Sequence, residues 1–330
     1  MNMNESSAGP VLITGVTGFI ASHLAERLLA AGVPVRGAAR RPAAADWLAA
    51  RGADIVSADL LDPPALARAA RGCRAVVHAA AWTGGPETPP DLAWRTNVDG
   101  TANVLAAAAG VARFIYISSV AVYGVNRAPV IDEAAATPRV GQAYPDSKIT
   151  AEALVRGSGL PYVIIRPAST YGPRGDAWTL GPLRQIKAGR LVLLGRDEGL
   201  VTPGYIDNVV DGLLLALAHS AAVGEAFNLC DDRAVTYREF YLAYARMLNL
   251  DRLPTVPGLA ADLARLPAAN WLRGRLGRAP VGPWSLHFRR NPSQFSIAKA
   301  QRILGYAPRI DFAAGMRLTE AWLRAEGHLD

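Results

Sequence analysis

Cysteine is nearly missing from this 330-residue chain, where Cys73 and Cys230 are the only ones. So few thiols cannot build a disulfide framework, and they lack the spacing of metal ligands, so a reducing, cytoplasmic setting without a metal centre is expected. Lysine is almost as scarce, at Lys148, Lys187 and Lys299, so the net charge of +7 and the pI near 9.7 rest on arginine. Those arginines are scattered rather than gathered into a basic run with aromatics, and nucleic acid is therefore not an expected partner. No apolar stretch reaches membrane-spanning length without a charge or a proline, so no membrane association is expected. Residues Met1 to Gly9 have neither a cationic start nor an apolar run, and do not read as a signal peptide. There is no internal repeat and no clean linker.

What is present suits an ordered globular protein: hydrophobic residues make up 51% of the chain and charged ones 19%. The length allows one large α/β domain with a smaller lobe, and two lobes frame a cleft. Short apolar runs at Val11 to Thr14, Val33 to Ala39, Asp54 to Ser57, Ala75 to Ala79 and Arg113 to Ser118 read as strands. Between them, helical spacing is predicted over Phe19 to Ala31, Ala43 to Ala50, Pro63 to Ala70 and Asp91 to Ala109, followed by a helix from Ala143 to about Arg156 and a strand at Tyr162 to Arg166. Such alternation with near-continuous apolar strands implies a doubly wound parallel sheet, expected over residues 10–170. From 171 to 330 the alternation breaks down. Helices at Thr179 to Ala188, Asn208 to His219, Tyr237 to Leu248, Ala298 to Leu304 and Phe312 to Arg324 mix with brief strands at Leu191 to Leu194 and Glu225 to Leu229, so these residues are expected to form mainly a mixed α/β C-terminal substrate lobe that grows out of the first domain, with room for segments to return to it.

Thr14-Gly15-Val16-Thr17-Gly18-Phe19-Ile20-Ala21 joins the first strand to the first helix. Gly15, Gly18 and Ala21 fill the three small-residue positions of a phosphate loop: a tight turn, a close backbone approach to pyrophosphate, and close helix-on-strand packing. Free N–H groups at the helix start then hold the anion. At the end of the second strand there is no carboxylate to pair with a ribose diol, and Arg40 and Arg41 stand together. Either they accommodate a 2′-phosphate, which favours NADP over NAD, or they are solvated loop charges. Tyr144 and Lys148 lie four apart on a predicted helix, so both project from one face. A lysine ammonium beside a phenol, together with a positive nicotinamide, brings the phenol toward a useful pKa, which makes tyrosine a general acid or base. Ser118 and Ser119 end a strand at the carboxyl edge of the sheet, where a hydroxyl can donate to a carbonyl oxygen as charge develops.

These motifs, in this order, make the chain resemble the extended short-chain dehydrogenase/reductase family, which includes nucleotide-sugar epimerases and dehydratases, 3β-hydroxysteroid dehydrogenases and dihydroflavonol-reductase-like enzymes. Further markers are Asp59-Leu60, His78-Ala79-Ala80, Asn97 to Thr101, Ser118 to Gly124, Tyr144 to Lys148, Arg166-Pro167 through Pro173, Tyr205 to Val209 and Leu304 to Pro308. The resemblance implies a Rossmann fold, with Tyr144 as acid/base, Lys148 orienting the nicotinamide ribose, and Ser119 rather than Ser118 as the catalytic hydroxyl. It implies a coenzyme site made of Gly15, Thr17, Gly18, Phe19 and Ile20, of Arg40, Arg41, Asp59 and Leu60, and of Ala79, Ala80 and Ala81 with Ser118, Tyr144, Lys148, Pro167 and Ser169. Asn97 and His78 match structural positions, and a homodimer through Asp91 to Ala109 and Tyr144 to Arg156 is expected on resemblance.

Substrate residues are read from the neighbourhood of the motifs. The segment Trp82-Thr83-Gly84-Gly85-Pro86 follows the fourth strand, and Tyr171 and Trp178 follow the sixth, so Trp82, Thr83, Tyr171 and Trp178, with Thr202, are expected to border the cleft. Sugar-nucleotide members usually carry an arginine before the Tyr-Ile-Asp-like segment and an Arg-Pro-Gly-Asp-like stretch before the C-terminal Leu-Gly. Here those regions read Leu200-Val201-Thr202-Pro203-Gly204 and Phe288-Arg289-Arg290-Asn291-Pro292-Ser293, so the diphosphate clamp is incomplete unless Arg289 or Arg290 substitutes. The expected reaction is interconversion of a ketone and a secondary alcohol by an NADP-preferring oxidoreductase. The alternatives are a nucleotide-sugar epimerase or dehydratase with tightly bound NAD, and a non-catalytic cofactor sensor, against which the intact Ser119, Tyr144 and Lys148 set argues.

Overall fold

The computed structural model describes residues 9–84, 90–195, 199–256 and 289–330. Met1 to Ala8, Gly85, Pro86 and Phe288 lie outside the described residues.

The strands β1 (Val11–Thr14), β2 (Val35–Ala39), β3 (Asp54–Ser57), β4 (Ala75–His78) and β5 (Arg113–Ile117) form the body of one parallel sheet. β1 and β4 are buried along their whole length, as strands covered on both faces must be. After the short β6 (Val130–Ile131), the chain adds β7 (Tyr162–Pro167) to the same sheet. Four short strands follow: β8 (Ser169–Tyr171), β9 (Leu193–Leu194), β10 (Leu200–Val201) and β11 (Pro203–Tyr205). The seventh strand of the main sheet is β12 (Ala226–Leu229), and the order is β12-β7-β5-β4-β1-β2-β3. The second half of the chain therefore returns to the first layer. The order reverses at β1 and β4, and the crevice at their carboxyl ends is where open α/β sheets take ligands.

Helix α1 (Phe19–Ala30) crosses from β1 to β2, burying Leu24, Ala25 and Leu28 against the sheet. The short α2 (Asp46–Ala49) is followed by α3 (Pro63–Ala70), which begins through two prolines behind Asp62, whose carboxylate caps the Ala65 amide. The single helix predicted over Asp91 to Ala109 is instead α4 (Pro90–Trp94), a π-helical turn (Arg95–Asp99) and α5 (Gly100–Ala107). The wide turn aims Asn97 inward, where its amide bonds both the N–H and the C=O of Trp82. Helix α6 (Ala143–Gly157) packs against these segments. Helix α7 (Gly181–Lys187) belongs to the smaller lobe, α8 (Ile206–Ala218) packs on α1, and α9 (Tyr237–Met247) places Phe240 and Tyr244 in the core. The antiparallel pair β10 with β13 (Val235–Thr236), and the parallel pairs of β14 (Thr255–Val256) with β9 and of β15 (Gln294–Phe295) with β6, complete the smaller lobe.

Candidate active site

At the end of β1, Gly15 turns the chain with φ of +66°, and a Cβ there would stand 2.7 Å from the Ala80 Cα. Glycine meets both demands, the left-handed backbone and the close approach. The Gly18 amide bonds the Gly15 carbonyl, no side chain caps α1, and its first turn holds no acidic residue. The N–H groups at the start of this helix are thus free for an anion. Behind the loop, His78 joins β1 and β4, with Nδ1 at 2.8 Å from Thr14 Oγ1 and Nε2 at 3.0 Å from Thr101 Oγ1. Because the Thr101 hydroxyl donates to the Asn97 carbonyl, it accepts from Nε2–H, and Nδ1 accepts from Thr14. Burial drives the imidazole down to about 3, so it is a neutral core residue.

Two cavities open from this loop. The smaller, about 270 Å³, is lined by Gly15, Thr17, Gly18, Arg40, Asp59, Leu60 and Ala79 to Ala81. The larger, about 650 Å³, takes Gly18, Phe19, Ile20, Ala79 and Ala81 from the same region and adds Ser118, Ser119, Tyr144, Lys148, Pro167 and Ser169. Gly18, Ala79 and Ala81 border both cavities. A dinucleotide fits this arrangement: an uncapped helix start in the middle, a groove to one side and a roomier pocket to the other. Arg41, expected beside Arg40, is not on the groove wall; it precedes the Pro42–Ala45 turn and is exposed.

Ser119, Tyr144 and Lys148 meet at one wall of the larger cavity. The two serines part company here. Ser118 Oγ donates to Glu152 Oε1 at 2.6 Å, turned into the core, whereas Ser119 Oγ accepts from the Ala121 amide at 3.1 Å and keeps its own proton for other use. Lys148 Nζ donates to the Ile117 carbonyl at 2.8 Å and stands 4.8 Å above the Tyr116 ring. Burial lowers the ammonium to about 7, against the pull of Glu152. The Tyr144 phenol is pushed up by burial, and a hydrogen bond with Ser119 pulls the other way. The lowering expected from Lys148 is therefore not what the protein alone delivers: at the cavity wall, desolvation of the phenolate is the largest influence on the phenol.

Thr83, Trp178 and Thr202 line the cavity. Tyr171 does not. Its ring is wholly buried among Tyr205, Phe240 and Phe312, because the parallel pairing of β8 with β11 directs it away from the cleft. Trp82 is also absent from the wall; Asn97 holds its backbone from both sides. Tyr237, Asn291, Ser293 and Phe295 line the cavity without having been expected there. They arrive through pairings distant in sequence, Thr236 with Leu200 and Phe295 with Ile131, for which no local pattern exists.

Residues 11–230 match the NAD dependent epimerase/dehydratase family. The chain belongs to this family. It is an NAD(P)-dependent oxidoreductase of the extended short-chain dehydrogenase/reductase type. The enzyme is 32% identical over 235 residues to a 4-hydroxy-2-methyl-3-oxo-4-farnesyl-3,4-dihydroquinoline-1-oxide ketoreductase of Stigmatella aurantiaca, covering 69% of this chain and 70% of the relative. A 3 beta-hydroxysteroid dehydrogenase/Delta 5-->4-isomerase of Mycobacterium tuberculosis is 31% identical, covering 94% of this chain and 89% of that one. Among solved structures, MoeE5 in complex with UDP-glucose and NAD is 26% identical, with a TM-score of 0.75, covering 96% of this chain and 99% of that one.

Charge is sparse on the enzyme's larger cavity. Among the described residues lining it, only Lys148 and Asp176 carry charged side chains, and the Asp176 carboxylate accepts from Arg184 at 2.7 Å. Arg289 is committed elsewhere: it donates to the Val192 carbonyl at 2.7 Å and lies 5.8 Å from the Tyr241 ring. Neither Arg289 nor Arg290 is on the wall. Among the described residues no helix is long and apolar enough to cross a membrane, and no cluster of metal-ligating side chains occurs.

Proposed function

We propose that the enzyme is a cytoplasmic, NADPH-preferring ketoreductase that interconverts an apolar ketone and a secondary alcohol. The observation that carries this reading is the charge of the large cavity, where no described arginine is present to meet phosphates. A sugar nucleotide brings two of them, and desolvating them beside Asp176 without a guanidinium partner is costly. Apolar walls from Trp178, Val201, Tyr237 and Phe295 instead suit a substrate without phosphates. The names of the ketoreductase and hydroxysteroid dehydrogenase relatives support the same class. Arg40, on the groove wall at the end of β2, a strand end that carries no carboxylate of its own, supports a 2′-phosphate on the coenzyme.

A nicotinamide coenzyme, held by Gly15, Gly18, Arg40 and Lys148, would supply the hydride for the carbonyl carbon. In the reducing direction the Tyr144 phenol gives its proton to the substrate oxygen, and the Ser119 hydroxyl donates a hydrogen bond to that oxygen as charge develops. Lys148 places positive charge four residues along α6, stabilising the phenolate that proton transfer leaves behind.

Oxidation of NADPH and NADH, followed against steroid, flavonoid, aliphatic and sugar-nucleotide panels, tests this directly. Net NADPH consumption with an apolar ketone is the expected result. Sugar-nucleotide turnover without net coenzyme consumption would make the enzyme an epimerase or dehydratase instead. With the substrate in hand, Tyr144→Phe is expected to lower kcat by about 10²- to 10⁴-fold. Turnover near the wild-type rate would remove Tyr144 from the proton step.

A further inference from the structure

The helix that carries Tyr144 and Lys148 carries a third ionisable group in the same register, Glu152, one turn further on and buried. Both oxygens of its carboxylate accept hydrogen bonds. Oε1 receives Ser118 Oγ at 2.6 Å and Arg166 Nε at 2.9 Å, while Oε2 receives the second guanidinium nitrogen of Arg166 at 2.6 Å. Arg156 stands 3.6 Å from Oε2 at the surface. Arg166 is itself buried and donates onward to the Tyr123 hydroxyl at 2.9 Å, which donates to Asn228 Oδ1 at 2.7 Å. The carboxylate is therefore held on both oxygens, and it makes no hydrogen bond to Lys148, whose Nζ gives one of its three protons to the Ile117 carbonyl and keeps two for other partners.

As a stability device this pair is hard to justify, since a buried ion pair is often replaceable by apolar side chains at no loss. Its placement makes more sense as charge compensation. Lys148 and Arg166 are two buried cations, and Glu152 is a buried carboxylate paired with Arg166 and one helical turn from Lys148, the two side chains being anchored on the adjacent residues Ser118 and Ile117. The other groups packed around Lys148 bring no negative charge: His78 on β4 is neutral, Tyr116 on β5 is a buried phenol, and Tyr144 is protonated. Arg95 and Asp99, on the π-helical turn packed against α6, are exposed.

We propose that Glu152 is a positioning residue for Lys148: locked by Arg166 and Ser118, its carboxylate supplies the negative charge that keeps the neighbouring ammonium protonated in its buried seat. The role assigned to that ammonium rests on the ketoreductase reading, but the charge coupling stands on its own geometry. A neutral amine at position 148 could neither hold a ribose through charged hydrogen bonds nor stabilise a phenolate, so Glu152 governs the pH range over which the site is competent.

The scarcity of lysine makes this measurable without substrate or coenzyme. Protein labelled with carbon-13 at lysine Cε gives one signal each for Lys148, Lys187 and Lys299, and Lys187→Arg and Lys299→Arg assign the set. In Glu152→Gln, which keeps volume and an acceptor for Ser118, the Lys148 titration midpoint is expected to fall by about one pH unit or more. The double variant Glu152→Gln/Arg166→Met removes the guanidinium that the single change leaves unpaired, and a smaller fall in the same direction is expected there. A Lys148 midpoint that does not fall in the double variant overturns the proposal. That failure leaves the ketoreductase reading untouched, whereas full turnover in Tyr144→Phe would sink that reading and leave this one standing.

Discussion

At the scale of single residues, the coenzyme half of the site rests on positions where one atom more is too many. Adding a Cβ at Gly15 sets a methyl group 2.7 Å from the Ala80 Cα, on backbone rather than on a side chain that could turn aside, and does so at φ of +66°. The left-handed backbone alone costs about 1–2 kcal/mol for an alanine. Gly15→Ala is therefore expected to lower stability by at least that much in urea denaturation, and to weaken coenzyme binding about tenfold or more as the loop shifts from the start of α1. Unchanged binding by fluorescence titration would mean that the loop does not hold the diphosphate. Residues of this kind were legible in the sequence because the demand on them is local: a turn, a helix start, a spacing of four. Tyr171 was not, since the face it presents follows from the pairing of β8 with the distant β11 and from partners such as Phe312, whose carbonyl its hydroxyl reaches 141 residues away. The difference between Ser118 and Ser119 is legible through the family resemblance alone, since physically it depends on Glu152 lying beneath the first of them.

Among elements, the strands of the main sheet announce themselves as continuous apolar runs, and α3 by an aspartate before two prolines. The break at Arg95–Asp99 has no such signal, because the wide turn answers tertiary demands: Asn97 must reach Trp82, and Gly100 must pass Leu60, where a Cβ would stand 2.9 Å away. β12 reads as a brief strand of the second lobe, yet it pairs with β7 from Ala226 to Leu229 and closes the main sheet, a choice made by α8 packing on α1, β5 and β7. Helices α5 and α6 lie side by side, and exposed apolar side chains remain at Trp94 and Leu154 on α4 and α6. We infer that two copies of the enzyme pair through these helices, as the family resemblance implies. Light scattering should give close to twice the chain mass of 34.9 kDa, and a value near one chain would rule the pairing out.

For the whole molecule, the buried ionisable groups that organise the site also shape how stability responds to pH. His78 is held at about 3, while an unfolded chain would take the proton near 6.5. Between those values the unfolded state binds more protons, so stability contributed by the neutral imidazole is intact above 6.5 and lost as pH falls, with a slope approaching about 1.4 kcal/mol per pH unit. Asp231 works against this trend. Burial raises its carboxyl to about 6 from 3.8, so the folded chain takes that proton first and gains stability as pH falls through the same region. The overall acid limb thus mixes two opposite slopes, and only a comparison isolates either. His78→Gln keeps a polar side chain near Thr14 and Thr101 but has nothing to protonate. Urea denaturation from about pH 7 to about pH 4 should show the wild type losing its advantage over this variant by about 1 kcal/mol per unit below pH 6.5. An advantage that stays constant over the range would mean that the folded chain protonates this imidazole as readily as the unfolded chain does. A charged imidazole donates from Nδ1, so the Thr14 hydroxyl, which already accepts from the Ala80 amide, would have to accept a second hydrogen bond and turn its own proton away from the ring.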